Sequence, residues 1–246
     1  MKIRLDKLLL EKNLAPTRQK AQALIAAGQV LVNDRRADKA GTMVEDSVDI
    51  TIKETCPYVS RGGYKLEAGL HYFNIDPTDL ICLDIGASTG GFTDCLLQNG
   101  AAKVYAVDVG YGQLAWKLRQ DQRVVIMERT NARNLTMANF QDMIDLAVID
   151  ASFISLKILI PPLLPLFRGK ISILALIKPQ FEVGRGKVGK RGVVRDPALH
   201  QEVINEIIDF CKTLQLQSLG VRPSPILGPK GNKEFLIYLI SNTNPE

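Results

Sequence analysis

The chain has 246 residues, of which 46% are hydrophobic and 23% charged. That is the balance of a folded protein with one large domain or two, and it excludes a chain disordered throughout. Lysine and arginine number 31 against 26 acids, a formal charge of +5. Position matters more than size here: residues 1–40 hold nine bases and four acids, while the other 206 residues carry 22 of each. A small basic module joined to a neutral body points to a polyanion-binding appendage. Cys56, Cys82, Cys95 and Cys211 are widely spaced, with no C-x-x-C pair and no histidine cluster. Neither a metal site nor a disulfide framework is expected from them, and Cys82 and Cys95, in apolar stretches, read as core thiols of a reducing compartment. The opening MKIRLDKLLLEKN alternates charge with leucine, unlike a signal peptide. No apolar run reaches the roughly 18 residues of a membrane span, and residues 158–167, the most apolar stretch, contain Pro161, Pro162 and Pro165. The expected location is the cytoplasm.

In chain order, Leu5, Leu8 and Leu9 recur at i, i+3 and i+4 and predict a first short amphipathic helix. Thr17 is the N-cap expected for a second helix, with Ala21, Leu24 and Ile25 inward and Gly28 at its C′ position. Residues 30–32 read as a strand with Asn33-Asp34 as turn residues, and residues 48–52 as a further strand. From about residue 80, strands and helices alternate. Residues 80–87, 103–109, 123–129, 143–151 and 169–178 are the predicted strands, with helices over 92–99 and 112–120. Asp196-Pro197 opens a long helix with the face Val203, Ile204, Ile207, Ile208 and Cys211. Residues 217–222 and 235–240 form an antiparallel edge pair. The fold class is α/β: a doubly wound, Rossmann-like sheet with an antiparallel edge strand, preceded by a small α+β domain.

The turn after the first strand of the body reads Asp84-Ile85-Gly86-Ala87-Ser88-Thr89-Gly90-Gly91-Phe92-Thr93. Its glycines let the backbone approach a ligand, and the helix opening near Gly91 offers free amides. The spacing is G-x-x-x-G-G, not the dinucleotide G-x-G-x-x-G. An acid two residues before the first glycine suits a ligand with a positive charge, such as the amino group of S-adenosylmethionine. Asp108 at the end of the next strand suits ribose hydroxyls, and Asn131 is the candidate on the adenine side. Asp84, Gly86, Ser88, Gly90, Gly91, Phe92, Asp108 and Asn131 are the expected cofactor-binding residues.

Two likenesses follow from these residues. Arg4-Leu5-Asp6, Thr17-Arg18-Gln19-Lys20-Ala21 and residues 28–33 (GQVLVN) resemble the alpha-L RNA-binding module named after the fourth small-subunit ribosomal protein. The resemblance implies Arg4, Arg18, Lys20 and Arg35 as RNA contacts that position without reading sequence. No aromatic residue precedes Tyr58, which argues against stacking on single-stranded bases. Six further motifs in order resemble the TlyA family: residues 58–66 (YVSRGGYKL), 84–94, 107–114 (VDVGYGQL), 150–156 (DASFISL), 178–182 (KPQFE) and 231–235 (GNKEF). That family pairs the alpha-L module with an FtsJ-like methyltransferase domain, which implies domains at 1–56 and 57–246. It also implies S-adenosylmethionine as cofactor, rRNA or assembled ribosomal subunits as partner, and methylation of a cytidine ribose 2′-hydroxyl. Some members carry the older label hemolysin.

FtsJ-like enzymes use a Lys-Asp-Lys-Glu tetrad, which the resemblance places at Lys65, Asp150, Lys178 and Glu234. A ribose hydroxyl is a poor nucleophile and must lose its proton as it attacks, and an ammonium cannot accept one. The base must be a neutral lysine, which burial and a neighbouring cation both favour. Lys178 follows an almost unbroken apolar strand, so its amine emerges at the ligand-binding edge of the sheet. It is the expected base, with Lys65 holding the hydroxyl or an adjacent phosphate, Asp150 steering Lys178 and Glu234 positioning the lysines. Arg61, one helical turn before Lys65, and Arg185, Lys187, Lys190 and Arg191, in a glycine-rich basic stretch, are further RNA-contact candidates. Three rival readings are weaker. A base N-methyltransferase would want two prolines where Ala151-Ser152 stand. A membrane-lytic protein would need a span or a long amphipathic segment. A non-catalytic RNA-binding protein leaves the tetrad without a purpose.

Overall fold

The computed structural model describes residues 1–52, 56–184, 186, 188, 189 and 192–241. The chain divides into two compact units, Met1–Pro57 and Tyr58–Glu246. In the first, β1 (Lys2–Arg4) runs into α1 (Leu5–Glu11), followed by α2 (Arg18–Ala26), β2 (Val30–Val32), β3 (Arg35–Arg36), β4 (Met43–Glu45) and β5 (Ile50–Ile52). Thr17 caps α2 by accepting from the Lys20 amide at 3.2 Å. Leu5, Leu9, Ala21, Ile25 and Val30 are wholly buried between the helices and a three-stranded sheet of order β3-β2-β5. Asn33 and Asp34 both take left-handed backbone (φ 47° and 61°), the geometry of a tight β2–β3 hairpin. Two features depart from expectation. The strand expected over 48–52 begins only at Ile50, and β1 and β4 form a further antiparallel ribbon too short to leave an alternating pattern.

The second unit is a seven-stranded sheet. Its elements are α3 (Gly62–Phe73), β6 (Ile81–Ile85), α4 (Gly91–Gln98), β7 (Lys103–Val107), α5 (Trp116–Arg119), β8 (Val124–Met127) and β9 (Leu146–Ile149). Then follow α6 (Leu156–Leu159), β10 (Ser172–Ile177), α7 (Pro179–Glu182), α8 (Pro197–Thr213), β11 (Gln217–Pro223) and β12 (Phe235–Ile240). The strand order is β11-β12-β10-β9-β6-β7-β8. Strands β10, β9, β6, β7 and β8 are parallel, while β12 runs antiparallel to both β10 and β11. The central strands are buried on both faces, which explains their unbroken apolar runs. Asp196 caps α8 as expected, accepting from Ala198 N at 2.9 Å. Cys82, Cys95 and Cys211 are fully buried free thiols that burial pushes up to about 12.

The helix expected over 112–120 shrinks to the four residues of α5. Gly112 takes left-handed backbone (φ 73°), and carboxylates hold this turn: Asp108 accepts from Gly110 N at 2.6 Å and Glu128 from Gly112 N at 2.9 Å. The apolar, proline-rich stretch 158–167 becomes the end of α6 and a 3₁₀ segment, Pro161–Leu166, with Leu163 and Leu166 buried in the core.

Candidate active site

Four parallel strands deliver the site at their carboxyl ends: Gly86 follows β6, Asp108 follows β7, Asp150 follows β9 and Lys178 follows β10. Strand order reverses between β9 and β6, the place where open α/β sheets bind ligands. Because β12 is antiparallel, Phe235 sits opposite Ile177, so Glu234 arrives beside Lys178 although 56 positions separate them in the chain. Lys65 comes from the first turn of α3.

These four side chains form a continuous chain of charge. Glu234 Oε2 lies 2.6 Å from Lys65 Nζ, which lies 3.7 Å from Asp150 Oδ2. Asp150 Oδ1 lies 2.5 Å from Lys178 Nζ. The side chains of Glu234, Lys65 and Lys178 are 0%, 8% and 7% exposed, and that of Asp150 is 19%. Two buried ammonium groups would be intolerable alone, and two carboxylates between and beside them make the cluster neutral. Lys178 also donates to Ser152 Oγ (3.1 Å) and to the Asp150 carbonyl (3.3 Å). A Cβ on Gly228 would collide with the Glu234 carboxylate, so the absence of a side chain there makes room for the acid.

Two cavities meet at Asp150. The larger, about 550 Å³, is lined by Arg61, Lys65, Ser88, Phe92, Lys178 and the connection 226–229. The smaller, about 350 Å³, is lined by Asp108, Asn131, Val109, Ile154 and Leu159, with Gly86, Ser88, Asp150 and Ser152 shared between the two. Both volumes fall in the range of small-molecule sites. At Gly86 (φ 84°) a Cβ would come within 3.0 Å of the Asp150 carbonyl oxygen and the Ala151 Cα, so glycine is what lets the two loops close on one another. The smaller cavity suits a nucleoside: apolar walls for a base, Asn131 at its rim and a carboxylate at the β7 end for ribose hydroxyls. Asp108 is fixed by the amides of Ser88 (2.8 Å) and Gly110. These features fit the adenosine half of S-adenosylmethionine.

Among the expected cofactor residues, Gly86, Ser88, Gly91, Phe92, Asp108 and Asn131 line the cavities. Asp84 and Gly90 do not. Gly90 (φ 94°) packs against Leu114 and Leu118. Asp84 is fully buried beneath the glycine turn, where Oδ2 accepts from Thr93 Oγ1 at 2.6 Å and Oδ1 has no partner among the described residues. Burial pushes its carboxyl up to about 7. The acid expected beside a charged amino group is a layer deeper than the cavity wall, because spacing along a chain does not encode depth. Spacing likewise missed Asp94, which ties down the segment before α3 by accepting from Val59 N at 2.8 Å, and the 226–229 wall, which has no periodicity to reveal it.

In the first unit, Arg4 and Arg18 converge on Asp6, each at 3.0 Å, with Gln22 donating to the same carboxylate. Asp6 is fully buried while the arginine side chains stay 41% and 50% exposed. Lys20, Arg35 and Arg61 are exposed. Arg185, Lys187, Lys190 and Arg191 lie outside the described residues. Among the described residues, no cluster of acids, cysteines and histidines is placed to hold a metal ion, and no helix is long and apolar enough to cross a membrane.

A mostly parallel seven-stranded sheet with an antiparallel β12, carrying a glycine turn and acidic strand ends over a nucleoside-sized cavity, defines an S-adenosylmethionine-dependent methyltransferase. Residues 58–240 match the FtsJ-like methyltransferase family and residues 3–50 the S4 domain. The chain belongs to the TlyA family, in which these two parts occur together. It is 46% identical over 243 residues to the 16S/23S rRNA (cytidine-2′-O)-methyltransferase TlyA of Mycobacterium tuberculosis, covering 98% of this chain and 91% of that one. It is 41% identical over 239 residues to hemolysin A of Brachyspira hyodysenteriae, covering 97% and 100%. A solved structure from Streptococcus thermophilus, described as a hemolysin, superposes with a TM-score of 0.76 at 44% identity, covering 98% and 90%.

Proposed function

We propose that the chain methylates the 2′-hydroxyl of a cytidine ribose in rRNA, with residues 1–56 binding the RNA and residues 57–246 carrying out the transfer. The observation that carries this reading is the Glu234–Lys65–Asp150–Lys178 chain at the junction of the two cavities. The name of the M. tuberculosis relative supports the substrate. An rRNA substrate supports a cytoplasmic location.

Bound S-adenosylmethionine supplies a methyl group on a positively charged sulfur. Asp108 and Asn131 hold its nucleoside half, while Gly86 and Ser88 bring backbone to the junction. On the acceptor side, Lys178 takes the proton of the ribose hydroxyl, a role worth about 10²–10⁴-fold in such reactions. Asp150, shared between both lysines, holds the Lys178 amine toward the acceptor. Lys65, anchored by Glu234, holds the hydroxyl oxygen or the neighbouring phosphate. A base N-methyltransferase would leave both buried lysines idle, and no described segment supports the membrane-lytic reading.

The test is transfer of a tritiated methyl group to separated ribosomal subunits and to naked rRNA, followed by nucleoside mass spectrometry. A 2′-O-methylcytidine product is expected, and the labelled subunit identifies the substrate. A base-methylated product would overturn the role given to the lysines. Absence of label on any RNA, with donor binding intact, would overturn the substrate.

A further inference from the structure

Lys178 Nζ is ion-paired with Asp150 Oδ1 at 2.5 Å and donates to two oxygens on the loop after β9, Ser152 Oγ at 3.1 Å and the Asp150 carbonyl at 3.3 Å. A carboxylate and two accepting oxygens suit an ammonium, whereas a neutral amine has two N–H bonds and a lone pair. In its proton-accepting form the amine turns its lone pair to the ribose hydroxyl and keeps two N–H bonds for the loop oxygens. The two Asp150 oxygens can only accept. The Ser152 hydroxyl carries a hydrogen of its own and can rotate, so it can face either form of the amine. Ser152 is also exposed and lines both cavities, at the junction where a ribose hydroxyl and a donor methyl must meet.

We infer that Ser152 is a positioning residue for methyl transfer, aiming the Lys178 amine at the ribose hydroxyl. This rests on Lys178 being the base. The hydroxyl proton passes to Lys178 Nζ, the oxygen's electron pair forms the new O–C bond, and the electron pair of the broken S–C bond stays on sulfur. Ser152 keeps its own proton throughout and accepts an N–H of the amine before and after the step. The fold holds it in register from both sides. Phe153 takes left-handed backbone (φ 65°), and its ring packs on Phe181 with centroids 5.0 Å apart. Glu182, at the end of α7, accepts from Ser155 Oγ at 2.6 Å and from Leu156 N at 2.8 Å, latching the loop after β9 to α7. The charged groups around Lys178 are Asp150 directly, Lys65 and Glu234 beyond it, and Arg61 on the same cavity wall.

The experiment compares Ser152→Ala and Ser152→Thr in the full-length protein with its RNA substrate. For Ser152→Ala, single-turnover transfer at its pH plateau should fall about tenfold, a fraction of what the base itself contributes. The rising limb of the pH–rate profile should move to lower pH, because the ammonium has lost an acceptor. Donor affinity by calorimetry should stay within about twofold. With neither donor nor RNA present, acetic anhydride should label the Lys178 amine faster at fixed pH in the variant, read by mass spectrometry. Ser152→Thr keeps the oxygen and should restore both readouts. A wild-type plateau and rising limb in Ser152→Ala would overturn the inference, as would a rate loss matched by lost donor affinity. Lys178→Ala separates the two ideas. If it is inactive while Ser152→Ala is normal, the Ser152 role alone falls; if it stays active, the base assignment falls too.

Discussion

Both units of this chain build a carboxylate between two cations, and the proposed function puts them to different uses. In the first unit Asp6 is buried beneath Arg4 and Arg18, whose side chains remain about half exposed. In the second, Asp150 sits between Lys65 and Lys178, whose amines are almost fully withdrawn from solvent. Guanidinium keeps its charge at any working pH and presents a planar fork to phosphate, while an amine can release and take up a proton. Under the proposed function, burial and the type of cation decide whether such a cluster binds a polyanion or does proton chemistry. The motif of acid between bases is shared, and its consequence is not.

The sharpest way to break this contrast is to exchange the cations. Lys178→Ala should lower methyl transfer by about 10³-fold or more, and Lys178→Arg should do nearly the same, since a guanidinium cannot serve as base. Donor affinity by calorimetry should change little in either. An active Lys178→Arg enzyme would mean that the second cluster, like the first, only binds. In the first unit the opposite pattern is expected: Arg18→Lys should be mild, and Arg18→Ala should weaken RNA binding and reduce the salt-dependence slope by about 1. Asp6→Asn should weaken RNA binding by about tenfold by freeing both guanidinium groups from their shared anchor. It should leave donor binding unchanged. The Arg4 guanidinium, with Gln22 and Arg18, holds the Asp6 carboxyl well below the usual carboxylate range. Its support for the fold is therefore present at neutral pH and fades only in strong acid, as pH falls below the ordinary carboxylate value.

How far the sequence discloses this contrast depends on what kind of signal each part leaves. The central strands β6, β7, β10 and β12 were legible because burial on both faces writes an apolar run, and the caps Thr17 and Asp196 because their chemistry is local. The tetrad was legible through family likeness; its members lie up to 169 positions apart and no local pattern joins them. Helix α3 was read only as the one turn from Arg61 to Lys65; its Gly-Gly start lowers helix propensity and a buried lysine interrupts its apolar face, which hid its full length. Ser152 left no mark beyond its motif. Its importance comes from a 3.1 Å approach to a residue 26 positions away.

Asp84 sharpens the comparison from a third side, because it is a buried carboxylate with no cation paired to it among the described residues. Thr93 satisfies one oxygen and nothing described satisfies the other, and burial raises the carboxyl from the ordinary 3.8 to about 7. The sign of the consequence is opposite to that at Asp6. Between pH 3.8 and about 7 the folded chain retains a proton that the unfolded chain has released. Stability should therefore fall as pH rises through that window, with the full loss present above it. Asp84→Asn removes the titration while its amide oxygen can still accept from Thr93. The variant should match the wild type below the window and melt higher above it. A gain of a few degrees is expected, since about 1 kcal/mol moves Tm by roughly 2–4 °C for a domain of this size. Melting curves of both proteins from pH 3.5 to pH 8 read this directly. A Tm difference that does not vary with pH would mean that Asp84 is already ionised in the folded chain and held by a cation. In that case Asp84 would belong with Asp6 and Asp150 as an acid paired with bases, and the rise caused by burial would be wrong.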